Sequence, residues 1–115
     1  MKRITAALGV AALALSIGVA AAPAASAQAS VRCNYTSSEP FLSYGDNSTA
    51  VKQLQCELYN SLKDSYLTRD GIFGGGTLSD VKKFQGCVGL PKDGLVGPKT
   101  WAQLDKWTAR SGFAC

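Results

Sequence analysis

Beyond residue 45, apolar residues recur with helical spacing in three stretches. Val51, Leu54, Leu58 and Leu62 stand at i, i+3, i+7 and i+11, which places them on one stripe of a helix from about Thr49 to Leu62. Asn47 or Ser48 suits its N-cap, because a short polar side chain there can accept a hydrogen bond from a free first-turn amide. A second helix is expected after Gly74-Gly75-Gly76, with Thr77 as N-cap and Asp80 at the third position, where a carboxylate meets the positive end of the helix. Leu78, Val81, Phe84 and Val88 form its stripe, and Gly89 and Pro91 end it. The third helix starts with Pro98 in its first turn and carries Trp101, Leu104 and Thr108 on one face, with Trp107 to the side. It ends before Gly112.

Two echoes connect these helices. Val51-Lys52-Gln53-Leu54-Gln55 recurs as Val81-Lys82-Lys83-Phe84-Gln85, and Asp70-Gly71-Ile72-Phe73-Gly74 with Thr77 recurs as Asp93-Gly94-Leu95-Val96-Gly97 with Thr100. Each D-G-x-x-G-x-x-T run stands just before a predicted helix. Asp can bond nearby backbone amides, Gly can take unusual backbone angles, an apolar residue tucks inward, and Thr caps or braces the helix that follows. Phe73 and Val96 are therefore expected to point inward. Residues 28–44 show no lasting period and contain Pro40 and several serines, so they read as an arm laid over the domain.

The first 27 residues read as a secretory signal peptide: Lys2 and Arg3, an apolar run from Ile4 to about Ala22, then Ala25-Ser26-Ala27 as a cleavage site. Cleavage there leaves 88 residues beginning at Gln28 and lowers the formal charge from +4 to +2 with the loss of Lys2 and Arg3. The remaining cations alternate with acids, so no basic stripe points to nucleic acid or to an anionic membrane surface. The expected organisation is a signal peptide (1–27), an N-terminal arm (28–44) and a domain (45–115). The expected product is a secreted monomer, extracellular or wall-associated and free of the membrane once cleaved.

Export decides how the four cysteines read. Cys33, Cys56, Cys87 and Cys115 enter an oxidising space in a small chain, which favours two disulfides over reactive thiols or metal ligands. Of three connectivities the nested one is expected, Cys56 with Cys87 and Cys33 with Cys115, so that one bridge staples the first two helices and the other ties arm to tail. Cys56 lies off the apolar stripe, and Cys33 could reach it instead.

Taken together these residues resemble the peptidoglycan-binding domain family. The match runs through Gly45, Val51-x-x-Leu54-Gln55-x-x-Leu58, Asp70-Gly71-x-Phe73-Gly74-x-x-Thr77, Val81-x-x-Phe84-Gln85, Gly89-Leu90 and Asp93-Gly94-x-Val96-Gly97-Pro98-x-Thr100-Trp101-x-x-Leu104. It departs at Ser48 and Gly75, where the family usually has glycine and often proline. The resemblance implies an all-α fold, a small three-helix orthogonal bundle, here with two disulfides. It also implies a non-catalytic module whose partner is peptidoglycan or a muropeptide. A second reading keeps the fold and takes another protein as partner, such as a cell-wall enzyme that it targets or inhibits.

The inventory for chemistry is thin. The chain has no histidine, which removes Ser-His-Asp and Cys-His hydrolases and His-ligated zinc. The glycine run before Thr77 lacks the lysine and the preceding strand of a phosphate loop. Of the carboxylates that could cleave a glycan, Asp70 and Asp93 are explained as turn residues and Asp80 as a helix-start charge, leaving Asp64. No enzyme activity, cofactor or metal is expected. Aromatic rings are the better source of ligand contact, since a flat ring packs against a sugar face. Phe84 and Trp101 belong to the core stripes, whereas Tyr44, Tyr59, Tyr66 and Trp107 lie off them. The expected groove flanks the first turn, walled by Tyr66, Asp70 and Trp107, with Tyr44 and Tyr59 as the next candidates.

Overall fold

The computed structural model describes residues 32–115, so the signal peptide and its cleavage site lie outside the described residues. Three helices follow in order: α1 (Thr49–Ser61), α2 (Gly75–Cys87) and α3 (Pro98–Thr108). Among the described residues there is no strand, only two isolated antiparallel bridges, Leu42 with Val96 and Asn47 with Ile72. The fold is all-α.

The helix starts show how local chemistry and tertiary contact divide the work. Ser48 caps α1, its hydroxyl accepting from the Val51 amide at 3.2 Å, and Pro98 opens α3 as expected. α2 departs from expectation: it begins at Gly75 with Gly74 as N-cap, so Thr77 lies inside the helix. The Thr77 hydroxyl is taken by Gln55, whose Nε2 donates to it at 3.1 Å. Asp80 accepts from the Ser65 hydroxyl at 2.7 Å and so fastens the α1–α2 connection to α2.

α1 is the central element and packs against both other helices. Val51, Leu54, Leu58 and Leu62 are buried, together with Phe73, Val81, Phe84, Val96, Trp101 and Leu104. Phe73 and Val96 do point inward. Contrary to a simple one-stripe pattern, α1 also buries Gln53, Gln55, Glu57 and Ser61. The arm covers one of these polar faces and the first Asp-Gly turn covers another.

The two sequence echoes prove to be one hydrogen-bonding device used twice. Gln55 Nε2 donates to Asp70 Oδ1 (2.9 Å), Ile72 O (2.9 Å) and Thr77 Oγ1, while its Oε1 accepts from the Gly71 amide (3.0 Å). Gln85 does the same with Asp93 Oδ1 (3.0 Å), Leu95 O (2.9 Å), Thr100 Oγ1 (3.3 Å) and the Gly94 amide (3.0 Å). Burial makes unpaired amide groups expensive, so a glutamine surrounded by its partners locks each turn to the preceding helix. Gly71 and Gly94 take φ of 79° and 75° in these turns, backbone angles that glycine adopts without a Cβ penalty.

The arm is bound at several points. Leu42 exchanges backbone hydrogen bonds with Val96 (3.1 and 2.9 Å), Trp101 Nε1 donates to Pro40 O at 2.9 Å, and Gln53 Oε1 accepts from the Tyr35 amide at 2.9 Å. The disulfides correct the nested expectation. Cys33 pairs with Cys56 and Cys87 with Cys115, at Cα–Cα distances of 5.7 and 5.8 Å. Cys56 sits on the α1 face that the arm covers, so the arm cysteine reaches it and α2 does not. The tail returns along the end of α1, where the Ala114 amide bonds Ser61 O and the Lys63 amide bonds Cys115 O, which brings Cys115 to Cys87.

Candidate functional site

The five side chains expected to meet a ligand are distributed over different parts of the surface. Tyr59 and Tyr66 line a common cleft of about 290 Å³. Asp70 lines a different one of about 180 Å³ beside the first turn. Trp107 and Tyr44 line neither. Trp107 is packed against the core with the Arg110 guanidinium 4.6 Å from its ring centroid, and Tyr44 is exposed on the loop before α1.

Asp70 is occupied by its own turn. Its Oδ1 accepts from the Ile72 amide at 2.9 Å as well as from Gln55. The Ile72 amide, followed by the Gln55 side chain, holds its pKa below the ordinary aspartate value. Asp93 is lowered in the same manner, chiefly by the Leu95 amide. Both carboxylates are acceptors within a turn through Oδ1 and stay exposed.

The Tyr59–Tyr66 cleft is assembled from four pieces of chain. The last turn of α1 supplies Tyr59 and Asn60, whose neighbours Leu58 and Leu62 face the core and so turn the ring outward. The segment after α1 supplies Lys63, Ser65 and Tyr66; Arg32 comes from the arm, and Ser111, Gly112 and Phe113 from the tail. Tyr66 is 88% exposed, with Phe113 and Tyr59 near half. The Arg69 guanidinium lies 4.7 Å from the Tyr59 ring centroid and steadies it by a cation–π contact. Three rings, two cations, an amide and two hydroxyls thus border one concavity, and its described lining contains no carboxylate.

Arg32, Lys63 and Phe113 were not foreseen from the sequence. Periodicity says nothing about arm and tail, and the only usable signal was their closeness in the chain to Cys33 and Cys115. A larger cleft of about 410 Å³ lies beside the second turn, with Phe41, Leu90, Leu95 and Pro98 on its rim. Its polar floor, Gln85, Asp93 and Thr100, is already hydrogen-bonded within itself.

Residues 47–104 match the family described as "Putative peptidoglycan binding domain". The chain belongs to the peptidoglycan-binding domain family. Among its relatives is an uncharacterized protein of Kitasatospora aureofaciens, 54% identical over 81% of each chain. The zinc D-Ala-D-Ala carboxypeptidase of Streptomyces albus G is 36% identical over 76% of this chain, which spans only 36% of that enzyme. The spore cortex-lytic enzyme of Bacillus cereus is 40% identical over 59% of this chain and 28% of its own length.

Two solved structures share the fold. The SleB N-terminal domain is 39% identical with a TM-score of 0.57, covering 62% of this chain and 96% of its own. A peptidoglycan-binding protein of Clostridioides difficile, in complex with glutamine hydroxamate, is 33% identical with a TM-score of 0.56, covering 61% and 43%. Of the cleft residues, Arg32 and Ser111–Phe113 fall outside the matched segment. No described helix is long and apolar enough to cross a membrane.

Proposed function

We propose that this protein binds bacterial peptidoglycan without chemistry, as a secreted module, through the cleft walled by Tyr59, Tyr66 and Phe113. Family membership supplies the ligand class. The observation that carries the site is the convergence of three partly exposed rings with Arg32, Lys63 and Asn60 in one concavity. A ring covers a sugar face or an alkyl segment, the cations meet stem-peptide carboxylates, and the hydroxyl and amide groups bond the rest. Such a shallow single site binds weakly on its own.

Sedimentation with purified insoluble peptidoglycan tests the reading. The parent is expected to pellet with the wall, and Tyr59→Ala and Tyr66→Ala are each expected to lose most of that binding while circular dichroism shows an unchanged helical fold. If both variants sediment like the parent, the cleft is not the site. If the parent itself stays in solution, the ligand is wrong.

A further inference from the structure

We propose that the cleft selects peptidoglycan by the charge of its stem peptide, binding stems that carry free carboxylates in preference to amidated ones. This rests on the reading above and adds to it the chemical form of the ligand. The reason is the asymmetry of the lining. Arg32 and Lys63 both border the cleft, and no described lining residue carries a negative charge. Asp64, the neighbour of Lys63 in sequence, is exposed and is not part of the lining.

A carboxylate entering this concavity gains charge-assisted hydrogen bonds from two cations beside aromatic rings. A carboxamide of the same shape keeps the ring contacts and loses the ionic part. A peptide ammonium group meets two like charges there and no lining carboxylate. The two cations differ in origin, Lys63 following α1 and Arg32 preceding Cys33, and the Cys33–Cys56 bridge ties the arm next to Arg32 to α1. Arg32 and Phe113 lie outside the segment matched to the family and Lys63 lies inside it, so the preference draws on the flanks as well as on the domain.

The experiment uses the oxidised protein and two synthetic disaccharide-tetrapeptides identical except that one carries free carboxylates and the other carboxamides. Neither contains phosphate, so anionic wall polymers cannot account for binding. Calorimetric titration is expected to give about tenfold tighter binding of the free form, the size of one charge-assisted hydrogen bond in a partly exposed site. That advantage shrinks at high salt, which screens exposed charges. Lys63→Gln and Arg32→Gln are expected to weaken the free form alone, whereas Tyr66→Ala weakens both forms equally. Equal affinity of the parent for the two probes would overturn charge selection while leaving peptidoglycan binding intact. Sedimentation of the parent with intact wall, without binding of either soluble probe, would overturn it as well, because the epitope would then not be a stem peptide. Failure to bind wall and probes alike would instead remove the underlying reading.

Discussion

Burial of Glu57 should make the stability of this domain fall as the solution becomes alkaline, and Glu57→Gln should make that fall clearly shallower. The side chain is 1% exposed, its Oε2 accepts from Gln53 Nε2 at 2.7 Å, and its Oε1 has no hydrogen-bond partner among the described residues. Loss of hydration is the main cause that raises its pKa from 4.5 to about 8. The Gln53 hydrogen bond pulls it back, and the carboxyl groups of Asp105 on α3 and Glu39 on the arm push it further up. Glu39 itself rises to about 7, through partial burial and its pairing with Asp105.

The folded state thus holds a proton on Glu57 that the unfolded chain releases above pH 4.5. Stability is fully present below that value, falls by about 1.4 kcal/mol per pH unit between 4.5 and about 8, and then levels. The accumulated loss is on the order of a few kcal/mol, a large share of what a small domain possesses. In a domain this size that lowers Tm by on the order of 10 °C. Thermal unfolding followed by circular dichroism, with disulfides intact, should give parent and Glu57→Gln similar Tm values near pH 4.5. Above about pH 8 the variant should be the more stable protein. A parent Tm that stays level across this window, or a variant with the parent's slope, would refute the reasoning.

Three further outcomes are expected. Gln55→Ala and Gln85→Ala each remove four hydrogen bonds from a buried turn, and urea unfolding should show each variant destabilised by roughly 2 to 4 kcal/mol. Gly94→Ala and Gly45→Ala should both be destabilising in the same assay, Gly94→Ala the more so to the extent that the Leu78 side chain cannot move aside. Both positions have positive φ, but a Cβ at Gly94 would lie 2.6 Å from Leu78 Cδ1, whereas one at Gly45 meets nothing within 4 Å. Opening the Cys87–Cys115 bridge, which closes a sequence separation of 28 residues, should lower stability by about 3 to 4 kcal/mol. It should also free the tail that carries Phe113, so Cys115→Ala is expected to lose wall sedimentation even under conditions where helix content is retained.

The helices were legible in the sequence because their cause is local. Apolar residues spaced to line one face set α1, α2 and α3 within about three residues, and the repeated Asp-Gly runs announced two equivalent turns before any contact was known. The same residues could not say that Gln55 and Gln85 close those turns, although their recurrence in the first echo was visible. A glutamine fifteen positions from its aspartate is joined to it only by the way the chain folds back. Thr77 shows the converse error: its type and place suited a cap, and a tertiary partner claimed its hydroxyl. The disulfide pairing, the burial of Glu57 and the arm and tail walls of the cleft escaped prediction for one shared reason. Each depends on where arm and tail cross the helices, and those crossings are fixed by scattered contacts such as Pro40 with Trp101 and Ala114 with Ser61, which leave no period in the sequence.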